Sequence, residues 1–156
     1  MEQVTIRKAT LNDLEHLLRF EQGIIEAERP FDSTLKEGTI HYYDIAAMIT
    51  DPNAEVVVAD AEDGIIGSGF ARIEKSKPYL KHANHAWLGF MYVKSEHRGK
   101  GVNKKIMEAL KQWAVLQDIT EFRLTVYQDN GAAIHAYEKV GFTKHLIEMR
   151  MNVKDA

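Results

Sequence analysis

Arg98, Gly99, Lys100 and Gly101 stand together at the doorway of an amphipathic stretch, with Lys104 and Lys105 just inside it. Two glycines so placed free the backbone for positive φ and for close approach to a ligand that a Cβ would hold away. A helix beginning there leaves several N–H groups without partners, and its macrodipole adds about half a positive charge. Phosphate binding is therefore one chemistry open to this stretch. A glycine turn followed by a solvated lysine face would use the same residues. The common nucleotide loops do not fit. No Gly-Lys-Ser/Thr ends a run of the kind NTPases use, and Lys104 stands where the last glycine of G-x-G-x-x-G belongs.

Other reactive types are scattered. His85 has an intrinsic pKa suited to proton transfer, but a histidine at a strand start is also a common structural residue. Glu26, Glu28 and Asp32 could attract a cationic amine, deprotonate it through water, or solvate a surface. Glu21, Phe31, Tyr42 and Tyr43 add acidic and aromatic character to the same region. His82 and His85 make an H-x-x-H without further ligands at metal-site spacing, so no metal is expected. The G-S-G at 67–69 is no nucleophile elbow, since Ile66 occupies the first glycine position. With no cysteines, disulfides, thiolate zinc sites and a cysteine acyl-enzyme are all excluded.

The elements that must position these residues can be read from periodicity. Residues 4–9 alternate as a strand. Thr10 and Asp13 resemble a capping pair for a helix with Leu14, Leu17, Leu18, Ile24 and Ile25 at helical spacing, ended by Pro30. A second helix is expected from about Ser33 to Thr50. Residues 54–60 and 65–74 are strands across an Glu62-Asp63-Gly64 turn, and 85–93 is a third, with Gly89 inside it. A helix from Gly101 to about Gln117 buries Val102, Ile106, Leu110 and Trp113. A strand at 121–127, a helix from about Gly131 to Val140 and a last strand over "FTKHLIEMRMNV" complete the order. The expected fold is a mixed α/β (α+β) single domain over 1–156, with antiparallel meander strands first and crossovers later. Its 156 residues suffice for one proper core.

Arg98-x-x-Gly101-x-Asn103, between a strand and a helix, resembles the coenzyme A pyrophosphate loop of the GNAT N-acetyltransferase superfamily, whose pattern is Gln/Arg-x-x-Gly-x-Gly/Ala. Asn103 departs from the small final residue. A second match is Asn130, Ala133, Tyr137, Gly141 and Phe142, which fill the family's Asn-x-x-Ala-x-x-x-Tyr-x-x-x-Gly-Phe. Local physics supports each: Asn130 can cap a helix, Ala133 and Tyr137 share a face, and Gly141 suits a helix end. A third is Gly89 within "WLGFMYV", where glycine marks a bulge or a close approach; packing alone would also use a glycine there.

The resemblance implies a central, mostly antiparallel sheet with a bulged, splayed strand pair, flanked by about four helices. It implies acetyl-CoA as cosubstrate. The expected cofactor contacts are Met91, Tyr92 and Val93 through the backbone, Arg98, Gly99, Lys100, Gly101, Val102, Asn103 and Lys104 at the loop, and Asn130 and Tyr137. Tyr137 is the implied general acid and His85 the candidate base, since no carboxylate stands on the expected bulged strand. Residues 85–142 would be the cofactor-binding core, and 20–50 the acceptor-site helices. The reading is an N-acetyltransferase acting on a primary amine, of a cationic small molecule or peptide, by direct attack in a ternary complex. The rival is an acetyl-CoA-binding sensor of the same fold without turnover. A homodimer rests on family analogy alone. A net charge of −3 speaks against a nucleic-acid partner. The absence of an apolar run near ~20 residues speaks against a membrane span. A cytoplasmic protein is expected, because "MEQVTIRKAT" lacks the pattern of a secretory signal.

Overall fold

The computed structural model describes residues 3–154, in two compact units, Met1–Thr125 and Val126–Ala156. The first unit holds β1 (Thr5–Lys8), α1 (Leu14–Glu28), α2 (Ile45–Thr50), β2 (Ala54–Ala61), β3 (Gly64–Lys75), β4 (Asn84–Val93), α3 (Val102–Val115) and β5 (Phe122–Arg123). The second holds α4 (Gly131–Lys139). The sheet runs β1-β2-β3-β4-β5, antiparallel throughout except for the parallel β4–β5 pair. The mixed, mostly antiparallel sheet read from the sequence is therefore present.

Both faces of the sheet centre are covered. Leu17 and Phe20 of α1 and Ile45, Met48 and Ile49 of α2 pack with Val56, Val58, Phe70 and Phe90. Ile106 and Leu110 of α3 press on the opposite face, against the backbone at Gly67 and Gly69. This explains why Val56, Val57, Val58 and Ala59 are all buried instead of alternating. Added Cβ atoms at Gly67 and Gly69 would stand 2.8 Å from the Tyr92 carbonyl oxygen and 2.6 Å from Ile106 Cγ2. The G-S-G stretch is thus small because α3 and β4 crowd it.

At the start of the chain Asp13 does more than close a cap. Its carboxylate accepts from the Thr10 amide at 2.8 Å and is held by two bonds of 2.9 Å from Arg7. The Arg7 hydrogen bond lowers the Asp13 pKa below the ordinary carboxylate range, against the opposing pull of burial. A depressed carboxyl contributes stability that is present above its unfolded value, about 3.9, and lost as pH falls through the folded value. Asp13→Asn should therefore lower Tm at neutral pH, with the gap to wild type closing as pH falls from the unfolded value through the lowered folded one. Thermal melts across that range measure it.

Four expectations change. The second helix spans only Ile45–Thr50, capped by Asp44, whose carboxylate accepts from the Ala47 amide. Residues 32–44 are irregular because side chains of the first helical region take their backbone groups. Gln22 donates to the Ile40 carbonyl at 2.8 Å, and Arg29 donates to those of Lys36 and Gly38 at 2.8 and 2.6 Å. β5 is two residues long, not seven. Residues 142–152 lie outside any helix or strand, so the closing strand is not formed. A ladder needs a partner, and an alternating sequence cannot supply one. Within α1, Leu18, read with the apolar face, is exposed, and Glu21 is buried.

Candidate active site

The site is built on β4. Ser68 of β3 pairs with Tyr92, and Phe70 pairs with Gly89, so Gly69 alone faces Phe90 and Met91. This is a β-bulge. Its left-handed residue is Phe90, at φ 58°, a conformation that a bulky side chain keeps only under constraint, at a cost of order 1–3 kcal/mol. Gly89 has a different task. A Cβ there would lie 2.8 Å from Cζ of the Phe70 ring. Two successive residues, Gly89 and Phe90, thus point to the α1 side, and Tyr92 returns there two residues later, against Phe20 and Gly23.

The carbonyl released by the bulge is satisfied from inside. Ser68, fully buried, donates its hydroxyl to the Phe90 carbonyl at 3.0 Å. Ser68→Ala would strand that acceptor, and urea melts should show a loss of about 1–3 kcal/mol. Sequence reasoning had no use for Ser68; its signal was a hydroxyl set between two glycines in an apolar strand.

On the outer side of β4, pairing with β5 covers only Ala86 and Trp87. Among the described residues β4 then runs on through Leu88–Val93 with no ladder on that edge. An unpaired strand edge offers N–H and C=O groups to an extended ligand. Met91, Tyr92 and Val93 lie on this stretch. Tyr92 stacks on Phe20, with ring centroids 4.7 Å apart, and the Arg98 guanidinium lies 5.9 Å above its ring.

The chain then passes through a 3-10 turn, Ser95–His97, into the glycine loop. Gly99 and Gly101 have φ of 75° and 82°, and added Cβ atoms would meet nothing within 4 Å. The space before the loop is open. Gly101 is the N-cap of α3, and no side chain caps that end. The first intrahelical bond is from the Lys105 amide to the Gly101 carbonyl, at 3.2 Å; the amides of Val102, Asn103 and Lys104 precede it. Val102 is buried, so only its backbone can serve a ligand. Lys100 and Lys104 are exposed at the rim. Arg98 donates Nε to the Val93 carbonyl at 2.8 Å and so ties the loop to the end of β4. Asn103 lays its side chain back along the helix, with Nδ2 3.8 Å from the Met107 sulfur.

His85 is not brought to this end of β4. It stands five residues before Phe90, roughly 16 Å at strand rise. Nδ1 lies 3.0 Å from the Ser76 hydroxyl and Nε2 3.5 Å from Glu74. Glu28, at the end of α1, is half-buried. Burial raises its pKa, the Tyr42 hydroxyl opposes this by hydrogen bonding, and the nearby charge of Asp32 adds to the rise. Glu26 is paired with Arg29 at 2.9 Å, and Asp32 accepts from the Thr34 amide at 2.9 Å. Among the described residues no cluster of three or more His, Asp or Glu could hold a metal.

In the second unit Asn130 caps α4, accepting from the Ala133 amide at 3.2 Å. Gly141, at φ 109°, ends it. The Gly141 amide donates to the Glu138 carbonyl and the Phe142 amide to that of Tyr137, both at 3.1 Å. The Phe142 ring meets Tyr137 edge-on, with centroids 5.9 Å apart. The Tyr-x-x-x-Gly-Phe string is thus a left-handed helix stop with its hydrophobic contact, and the contact orients Tyr137.

A model of the acetyltransferase (GNAT) family matches residues 12–142. The chain belongs to this family. A streptothricin acetyltransferase from Escherichia coli is 39% identical over 58 residues, which are 37% of this chain and 33% of that protein. The chain thus spans about a third of that curated relative's length in the match. Among solved structures, a variant of the BH1408 protein from Bacillus halodurans superposes with a TM-score of 0.86 at 19% identity, over 95% of this chain and 98% of that one. A predicted acetyltransferase from Clostridium acetobutylicum, solved with acetyl-CoA, gives 0.71 at 18% identity over 99% of each chain. At such identity these likenesses establish the GNAT fold.

Proposed function

We propose that this chain is an N-acetyltransferase that moves an acetyl group from acetyl-CoA to a primary amine by direct attack in a ternary complex. The observation that carries this reading is the pairing of two features in one stretch. An α3 N-terminus with no side-chain cap follows, after one turn and the glycine loop, on a strand that is bulged toward β3 and whose other edge short β5 leaves open. Amides of Val102, Asn103 and Lys104 suit a diphosphate, and the open space at Gly99 and Gly101 admits it. The edge at Met91–Val93 suits the amide-bearing pantetheine arm.

In the reaction the neutral amine attacks the thioester carbonyl. A C–N bond forms, the C–S bond breaks, and the sulfur leaves as a thiolate. Backbone N–H groups at the bulge hold the developing oxyanion. Tyr137, the family's acid by its motif, gives the thiolate its proton, and the proton that the attacking nitrogen sheds on becoming an amide restores the phenol through solvent. We assign the base to Glu28, because its environment raises its proton affinity and places it beside an aromatic hydroxyl. A primary amine of ordinary pKa, about 10.4, must lose a proton before it attacks, and a carboxylate would also favour a cationic acceptor. His85, with both ring nitrogens engaged at the far end of β4, is assigned to holding that end in place. The domain is proposed to work in the cytoplasm, as a homodimer by family likeness.

The test is thiol release from acetyl-CoA across a panel of small amines and peptides. Turnover on any amine supports the reading, and tight coenzyme A binding without turnover on every amine supports the sensor of the same fold. The absence of a carboxylate on β4 is the observation that favours that rival. A Gly101→Val variant probes the cradle itself. A β-branched residue at φ 82° is strained by more than ~1–2 kcal/mol. The loop should relax away from the ligand and weaken coenzyme A binding by about tenfold or more, read by calorimetry.

A further inference from the structure

We infer that Glu21 is a positioning residue for the bulge, acting through Tyr43. This rests on the acetyl-transfer reading for its functional consequence, but the coupling itself is structural. Glu21 is wholly buried on α1, a costly place for a carboxylate unless its oxygens are satisfied. They are. One oxygen accepts from the amides of Tyr42 and Tyr43, each at 2.9 Å, and the other meets Nδ1 of His41 at 2.7 Å.

Three bonds from one side chain fix the path of residues 41–43, which have no regular secondary structure of their own. Their product is the placement of one ring. Tyr43 stands edge-on to Phe70 at 5.1 Å and tilted against Phe90 at 5.6 Å. Phe90 is the left-handed residue of the bulge, and Phe70 is the ring over which Gly89 makes room. The strained φ of Phe90 is thus held from two directions. Ser68 grips its carbonyl, and Tyr43 backs its ring. A short apolar side chain in place of Glu21 would pack in the same core but leave two amides unpaired and the ring of Tyr43 unfixed. Such a core would lose stability through the unpaired amides, and its bulge would be misplaced.

The experiment uses the whole chain as wild type, Glu21→Gln and Tyr43→Leu. Backbone amide resonances are recorded for each, along with coenzyme A affinity and steady-state kinetics with the best amine of the panel. Tyr43→Leu keeps the test alive if Glu21→Gln does not fold. The expected result is displacement of the Phe90 and Met91 amide resonances in each folded variant. With it should come a kcat lower by at least about tenfold, as misplaced reacting groups lose rate, while KM for acetyl-CoA stays within about threefold, because the diphosphate loop is untouched. Unmoved Phe90 and Met91 resonances in a folded variant overturn the inference. So does a moved bulge with unchanged kcat. If wild type turns over no amine, the acetyl-transfer reading fails by itself, and the amide resonances still decide whether Glu21 and Tyr43 hold the bulge.

Discussion

Tyr137→Phe is expected to lower kcat for acetyl transfer by about 10²- to 10⁴-fold, the range general acid catalysis supplies. The change removes one oxygen and keeps the ring. The edge-on contact with Phe142 and the helix stop at Gly141 should survive, so the fold of this unit is preserved and the loss falls on chemistry. Coenzyme A affinity should change little, since the proposed diphosphate cradle is the N-terminus of α3. The measurement is single-turnover thiol release at saturating acetyl-CoA, with a melt to confirm folding. An unchanged rate would strip Tyr137 of the acid role and leave the departing thiolate to water.

Glu28→Gln carries the second large effect, about 10²-fold in kcat, at the lower end of what a general base contributes. Its signature is the pH profile. A base must be ionised to act, so wild-type activity should fall as pH drops through the raised pKa of Glu28, and that acid limb should be lost in the amide variant. Stability runs the other way. Glu28 is raised chiefly by burial, so the folded state favours its protonated form. The associated stabilisation is present below the unfolded value, about 4.3, and is lost as pH rises through the folded value. Wild type should therefore lose stability relative to Glu28→Gln over that rise, while gaining activity. A pH–rate profile paired with melts separates a catalytic carboxylate from a merely buried one.

The two effects touch different units of the chain, and the variants should be combined. If each group serves a separate proton, the losses multiply toward a common floor set by binding and the oxyanion donors. Residues that act as one unit would instead show nearly the same loss singly and together.

Much of this was legible in the residues themselves. The glycine loop, the cap at Asn130 and the stop at Gly141 are local. Their meaning lies in φ preferences and in bonds that span a few residues, so spacing reveals them. The strands β2, β3 and β4 were equally plain as apolar runs bounded by turn residues, and the helix α3 from its helical period. The sequence could not show that Glu21 faces inward, that Ser68 serves a carbonyl twenty-two residues away, or that the bulge falls on Phe90 and not on Gly89. Nor could it show that β5 stops after two residues and leaves the edge of β4 open. Each of these depends on which distant group stands opposite. That is settled only when the sheet has chosen its register and the helices have closed over it, because a backbone group or a buried carboxylate takes its role from the partner it meets.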